Sequence, residues 1–147
     1  MITLLDASVL IALGDAGHEY EAAASRFFEK VAVPNGWATC PLTENAFLRI
    51  LSQPSYPRTL GSSLEARRVL LRLLACPGHQ FWPDDASLSD TSLFSTLPAS
   101  RHLTDLYLLG LAVKHGGRLA TFDASIDPAL IPGGPAAYHV IQPGNSN

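Results

Sequence analysis

Two apolar runs in this chain stop on an aspartate: "LLDAS" at residues 4–8 and "LATFDAS" at residues 119–125. Two further acids stand where apolar residues belong. Glu44 lies in "PLTENAFLRILS", and its i+3, i+4 and i+7 neighbours are Phe47, Leu48 and Leu51. Asp105 repeats the arrangement in "HLTDLYLLGLAV", with Leu108, Leu109 and Ala112 at the same offsets. Both therefore sit near the start of a helix, on or beside its inward stripe. Taken singly, each acid serves equally well as a cap or a first-turn residue, favoured by the free N–H groups and the helix dipole. Taken together they are harder to explain. Carboxylates brought within a few ångströms repel one another until one protonates or a cation joins them. Oxygen donors without His or Cys suit a hard divalent ion, Mg²⁺ or Mn²⁺.

The elements around these acids decide whether they can meet. Residues 2–5, 37–40, 79–82, 118–122 and 138–141 read as short strands. Helical spacing predicts helices over 7–13, 18–31, 41–52, 62–74 and 102–115, with Pro34-Asn35-Gly36 as a turn and residues 53–61 as a loop. A further short helix is predicted over 86–95, from the capping-box spacing of Ser87 and Asp90. Strands that alternate with helices imply βαβ units, hence an α/β fold: a three-layer α/β/α sandwich around a central parallel sheet. Such sheets bind ligands beyond the carboxyl ends of their strands. Asp6 and Asp123 directly follow strands, and helix starts lie at the same edge, so all four acids point to one place.

The chain has 147 residues, 47% hydrophobic and 16% charged, which suits one folded domain over 1–142 with a frayed tail at 143–147. No apolar run approaches a membrane span, and no basic stretch precedes the first one, so neither a membrane segment nor a signal peptide is expected. Cys40 and Cys76 read as buried thiols in a reducing cytosol. The scattered His18, His79, His102, His115 and His139 offer no zinc motif. A net charge of −3 argues against bulk electrostatic binding of nucleic acid. The segment from Asn45 to Gln80 is nevertheless locally basic, with Arg49, Arg58, Arg67, Arg68 and Arg72 against Glu65. It is either a solvated helix face or a phosphate- or partner-contacting surface. Asp15, Glu19, Glu21, Glu29 and Glu65 are expected at the surface. Asp84 and Asp85 are expected to cap the next helix, and Asp127 to serve in a turn.

"LLDASVLIAL", "ATCPLTENAFLRILS", "FWPDD" and "HLTDLYLLGLAVKHGGRLATFD" together resemble the PIN-domain family, and within it the VapC-type toxins of bacterial toxin–antitoxin pairs. The resemblance runs from about Ile2 to Ile141. It implies the same α/β/α fold and an Mg²⁺- or Mn²⁺-dependent endoribonuclease. The family's acidic positions fall on Asp6, Glu44, Asp105 and Asp123. Asp6, Asp105 and Asp123 would hold the cation, with Glu44 as a further ligand or a water-positioner. Ser8 and Thr121 match the small polar and hydroxyl positions that support the carboxylates by hydrogen bonds. Many members carry one more acid soon after the last; here Ala124, Ser125 and Ile126 follow, which leaves Asp127 without that role. Arg49, Arg67, Arg68 and Arg72 become candidates for RNA backbone contact. The resemblance also implies a cytoplasmic protein, an antitoxin partner and a homodimer. An antitoxin arm would lie near Tyr20, Phe27, Phe28, Phe47 and Leu51, although those residues also read as ordinary core. Phosphatases that place Asp after the first strand need a second Asp two residues on, and position 8 is Ser. A non-catalytic RNA-binding or protein-interaction module on the same fold is the remaining alternative.

Overall fold

The computed structural model describes residues 1–144. Five short strands form one sheet: β1 (Thr3–Leu5), β2 (Trp37–Thr39), β3 (His79–Phe81), β4 (Arg118–Thr121) and β5 (Tyr138–Val140), in the order β3-β2-β1-β4-β5. Every pairing is parallel; Leu4 stands between Ala38 and Leu119. The central strands β1, β2 and β4 are largely apolar because their side chains are buried on both faces, whereas the edge strand β3 is mostly exposed and β5 half-buried. Leu5, Trp37 and Ala120 face one core, with α1 (Ala7–Gly14), α2 (Glu21–Phe27), α4 (Pro41–Leu51) and α5 (Ser63–Leu74). Leu4, Ala38 and Leu119 face the other, with α6 (Leu103–Lys114) and α7 (Gly134–Ala137). This is the three-layer α/β/α sandwich expected from the strand–helix alternation.

α6 is buried on nearly every side, from Leu106 to Ala112, because it lies between the sheet and the long connection that leaves β3. That connection is pinned to it by Phe94. A Cβ added at Gly110 would stand 2.4 Å from the Phe94 ring, so only glycine lets the ring close on the helix.

Several local predictions gave way to tertiary demands. The second helix does not end before Pro34. It widens into a π turn over Phe28–Ala32 and continues as α3 (Val33–Asn35). The Val33 N–H reaches back five residues to the Phe28 carbonyl, and this extra residue per turn makes room for a proline that an ordinary α-turn would reject. Residues 86–95 form turns and no helix. The expected Ser87–Asp90 capping box does not form: Ser87 accepts from the Ser89 N–H, Asp90 accepts from the Ser92 and Leu93 N–H groups, and the chain leaves after one turn to bury Phe94. α7, only four residues long, was too short to show a period. Phe27, Phe28, Phe47 and Leu51 are core residues. Cys40 and Cys76 are free thiols, with Cys40 buried and its thiol pushed up to about 11 chiefly by that burial. No helix among the described residues is long and apolar enough to cross a membrane. Of the tail expected to fray, Pro143 and Gly144 lie in a turn and 145–147 fall outside the described residues.

Asp15 is a correction. Expected at the surface, it is 5% exposed at the end of α1. Arg58 Nε donates to both of its carboxylate oxygens, at 2.7 and 2.9 Å, the Tyr56 hydroxyl donates to one of them, and so does the Gly17 N–H. The loop over 53–61 is thereby tied to the first helix, and Arg58 leaves the basic surface. The Arg58 hydrogen bond holds the Asp15 carboxyl down at about 2. A depressed carboxyl stabilises the fold above its ordinary range, and that contribution fades as pH falls from about 4 toward about 2. Arg58→Ala should lower stability at neutral pH in urea unfolding, by stranding a buried carboxylate. It should also move acid unfolding to higher pH; an unchanged acid midpoint would show that the pair does not hold the loop.

Candidate metal and catalytic site

β1 connects toward β2 and β3 on one side, whereas β4 and β5 lie on the other, so chain direction across the sheet reverses between β1 and β4. Open parallel sheets form their ligand crevice at such a point. Asp6 leaves β1 there and Asp123 follows β4 by two residues.

Asp6 is 5% exposed and is both a cap and a site residue. Its Oδ1 accepts from the Ser8 N–H at 2.7 Å and the Val9 N–H at 3.3 Å, capping α1. The Ser8 hydroxyl donates to the same oxygen at 2.5 Å, and the Thr121 hydroxyl also bonds this carboxylate. Each hydroxyl also accepts a backbone N–H, Ser8 across the strands and Thr121 within its own. Ser8 Oγ accepts from the Phe122 N–H at 3.3 Å, and Thr121 Oγ1 from the Asp123 N–H at 3.0 Å. The two residues thus lace the ends of β1 and β4 together and fix the rotamer of Asp6. Burial, the largest influence, nevertheless pushes the Asp6 carboxyl above its usual range. None of the ion pairs among the described residues involves Asp6, Glu44, Asp105 or Asp123.

Asp105, in the first turn of α6, is half-buried and accepts from Ser125 Oγ at 2.7 Å. Asp123 is exposed, and its carbonyl accepts from the Tyr138 hydroxyl at 2.8 Å. That hydroxyl lies within electrostatic reach of three of the acids. Burial pushes it above the usual phenol range, and the charges of Asp105, Asp123 and Asp6 push it further.

Glu44 is held elsewhere. Thr39 Oγ1 donates to its Oε2 at 2.6 Å and lies 2.8 Å from His79 Nε2. A hydroxyl has one proton to give, so Nε2 of His79 must carry the hydrogen in that second bond. Burial lowers the His79 imidazole below its ordinary range, opposed by the charge of Glu44. Three acids therefore lie within electrostatic reach of one hydroxyl, while Glu44 is hydrogen-bonded to Thr39 at the end of β2. Among the described residues, no group of three or more His, Cys, Asp or Glu side chains is assembled as a finished metal cage. The donor set nonetheless fits a hard divalent cation: it is all oxygen, carries uncompensated negative charge, and includes a buried carboxylate whose ionisation is unfavourable until positive charge arrives.

Sequence reasoning missed Thr39, His79, Ser125 and Tyr138, which touch the acids only through the fold. Asp84 also does something unexpected. It caps α4 and not a following helix, accepting from the Leu42 N–H at 3.1 Å and from the Tyr107 hydroxyl at 2.9 Å. Asp127 caps the short 3₁₀ turn Pro128–Leu130, as its turn role suggested. Arg49, Arg67, Arg68 and Arg72 are exposed on α4 and α5, where Arg68 pairs with Glu65 at 2.8 Å; they make no hydrogen bond or ion pair with the acids.

Comparison with known proteins gives a consistent picture. The PIN domain family profile matches residues 3–128. The chain is 42% identical over 128 residues to Ribonuclease VapC39 of Mycobacterium tuberculosis, covering 86% of this chain and 91% of that protein. It is 40% identical over 136 residues to Ribonuclease VapC44 of the same organism, covering 90% and 94%. Among solved structures, VapBC2 from Rickettsia felis, bound to a DNA fragment from its promoter, aligns with a TM-score of 0.66 at 12% identity, over 97% of this chain and 100% of the other. VapC20 of Mycobacterium tuberculosis, a sarcin–ricin loop cleaving toxin, aligns with a TM-score of 0.58 at 14% identity, over 87% and 92%. These structural likenesses speak to the fold.

If the acids take up a cation, millimolar Mn²⁺ should raise the melting temperature, because the ion binds the folded state only. Asp6→Asn should reduce that response. The metal-free variant should melt at the same or a higher temperature, since an amide oxygen still caps α1 and the buried charge is gone. Thr121→Val should weaken Mn²⁺ about 10–100-fold in the same titration. Equal Mn²⁺ responses in all three proteins would mean that the acids act as unrelated caps.

Proposed function

The chain belongs to the PIN-domain family, and from that membership we propose that it is a divalent-metal-dependent endoribonuclease of the VapC type, the toxin of a toxin–antitoxin pair. What supports this reading is that the charges of Asp6, Asp105 and Asp123 all act on the Tyr138 hydroxyl beside the β1–β4 crevice, in a chain about 40% identical to proteins named VapC ribonucleases.

Asp6, Asp105 and Asp123 would hold Mg²⁺ or Mn²⁺, with Glu44 as a further ligand or water-positioner. When bound, such a cation polarises the phosphoryl oxygen and lowers the pKa of a water, which is the chemistry phosphodiester hydrolysis requires. The chain's own residues supply position. Ser8 and Thr121 lock the Asp6 carboxylate, and Ser125 holds Asp105 from the loop after β4. Thr39 occupies Oε2 of Glu44, which leaves Oε1 as the oxygen available to a water. The buried, acidic crevice repels RNA phosphate until a cation neutralises it, which makes substrate binding and metal binding interdependent. Arg49, Arg67, Arg68 and Arg72 are candidate phosphate contacts outside the crevice. The antitoxin would block this edge, and a homodimer is the expected assembly.

A non-catalytic RNA-binding or protein-interaction module remains as a second reading, favoured by one observation: Glu44 is tied to Thr39 and away from the other acids. Cleavage decides between them. Purified protein should cut RNA with Mg²⁺ or Mn²⁺ and stop with EDTA, and Asp105→Asn or Asp123→Asn should lower kcat by about 10²-fold or more. Thr39→Val should lower kcat by a smaller factor, about tenfold, by freeing Glu44. Cleavage that persists in Asp105→Asn/Asp123→Asn at the wild-type rate would exclude this site as its source.

A further inference from the structure

A cavity of about 350 Å³ opens at the same sheet edge as the acids, between the start of α4, the connection after β3 and the start of α6. Its walls include Leu42, Leu88, Leu103, Thr104 and Tyr107, and Asp84 stands at its polar edge. Its volume is at the lower end of the roughly 300–1,000 Å³ typical of small-molecule sites. The acids do not use it. Leu103 and Tyr107 lie one turn apart on α6, and Asp105 projects roughly 160–200° round the helix from them. Thr104, which also lines the cavity, stands about 100° round the helix from Asp105, so cavity and acids are neighbours across the first turn of α6.

The cavity is built, and its chemistry is selective. The connection that forms its wall is anchored at Trp82 and Phe94, both buried, and by Asp85, which bonds His115 at 2.8 Å. Asp84 is held by Leu42 N–H at Oδ2 and by the Tyr107 hydroxyl at Oδ1. The Cys40 thiol also lies against this carboxylate, and of its roughly four acceptor positions at least one remains for a ligand. No ion pair among the described residues involves Asp84. A ligand here must therefore offer a flat or apolar body to the leucines and tyrosine, and N–H donors to the carboxylate. Phosphate is repelled.

We propose that this cavity is a base-reading subsite for single-stranded RNA, taking a nucleobase that flanks the scissile phosphodiester, with guanine preferred. The proposal rests on the ribonuclease reading for its substrate. Guanine alone presents two adjacent donors, N1–H and N2–H, on the edge it would turn to a carboxylate. Adenine and cytosine each offer one amine beside an acceptor, and uracil one N–H between two carbonyls. Proteins that read RNA by sequence do so on unstacked bases, through apolar contact with the ring and hydrogen bonds to its edge.

The test separates this subsite from the cleavage chemistry. The full chain, methyl-labelled and kept in EDTA, is titrated with guanosine and with uridine, neither of which carries a phosphate. Guanosine should shift the methyl signals of Leu42, Leu88 and Leu103 at millimolar concentration, with uridine at least about fivefold weaker. Leu88→Trp, which fills the cavity, should abolish the shifts. Asp84→Asn, which keeps a carbonyl oxygen for the cap, should retain binding and lose the preference for guanosine. With Mn²⁺ and a randomised RNA pool, the wild-type protein should enrich guanine at one position within about two nucleotides of its cuts, and Leu88→Trp should erase the enrichment. Absent or unselective nucleoside shifts would overturn the subsite even if the protein cleaves RNA. Shifts of the same methyls by an antitoxin peptide and not by guanosine would overturn it in favour of a protein-binding pocket. Selective guanosine binding by a protein that never cleaves RNA would uphold the subsite and defeat the ribonuclease reading instead.

Discussion

A carboxylate buried between two parallel strands is the constraint around which this edge of the molecule is arranged. Asp6 must leave water because β1 is the central strand and α1 starts immediately after it. An ionised group so placed needs several donors. The structure supplies them from both sides of the crevice: the N–H groups of α1, the Ser8 hydroxyl, and Thr121 from β4. The same two hydroxyls accept from the backbone of residues 122 and 123, so the bonds that satisfy Asp6 also set where Asp123 emerges. Capping and site formation are one interaction here, because the N–H groups that satisfy a helix start also stabilise a carboxylate aimed at a ligand.

Two of the other acids are each restrained by a separate neutral donor. Ser125 holds Asp105 and Thr39 holds Glu44. Hydroxyl donors orient carboxylates without cancelling their charge, whereas lysine or arginine would neutralise it and compete with a cation. Asp15, far from the crevice at the other end of α1, shows the contrast: it is paired with Arg58, and its charge serves the fold alone. The chain thus uses two chemistries for buried acids, a cationic partner where the role is structural and hydroxyl partners where charge has to remain available.

α6 separates two environments at the edge. Asp105 projects from one flank of its first turn into the crevice, and Tyr107 with Leu103 from the other into the cavity beside Asp84. Burial on nearly all sides holds the helix rigid, with Phe94 seated against Gly110. Rigidity matters because both flanks must keep their spacing if a single strand of RNA is to lie across the helix start.

Much of this was legible in the chain itself. Largely apolar strands alternating with amphipathic helices determine a parallel sheet covered on both faces, since only that arrangement buries both sides of the central strands. Acids at strand ends and helix starts determine that Asp6, Glu44, Asp105 and Asp123 share an edge. Thr121 and Ser8, two residues from an aspartate, were visible because their partners are close in sequence. What depended on contacts across the fold was not visible. Asp15 looked like a surface residue because Arg58 meets it only when the loop over 53–61 folds back on α1. The π turn before Pro34, the turn in place of a helix over 86–95, the Thr39–His79 hold on Glu44 and the Asp84 cap on α4 each join residues that local pattern treats separately. Periodicity reports which face of an element is buried, so it determined the layers and the edge. Only packing between elements decided which oxygen each hydroxyl, amide or cation satisfies.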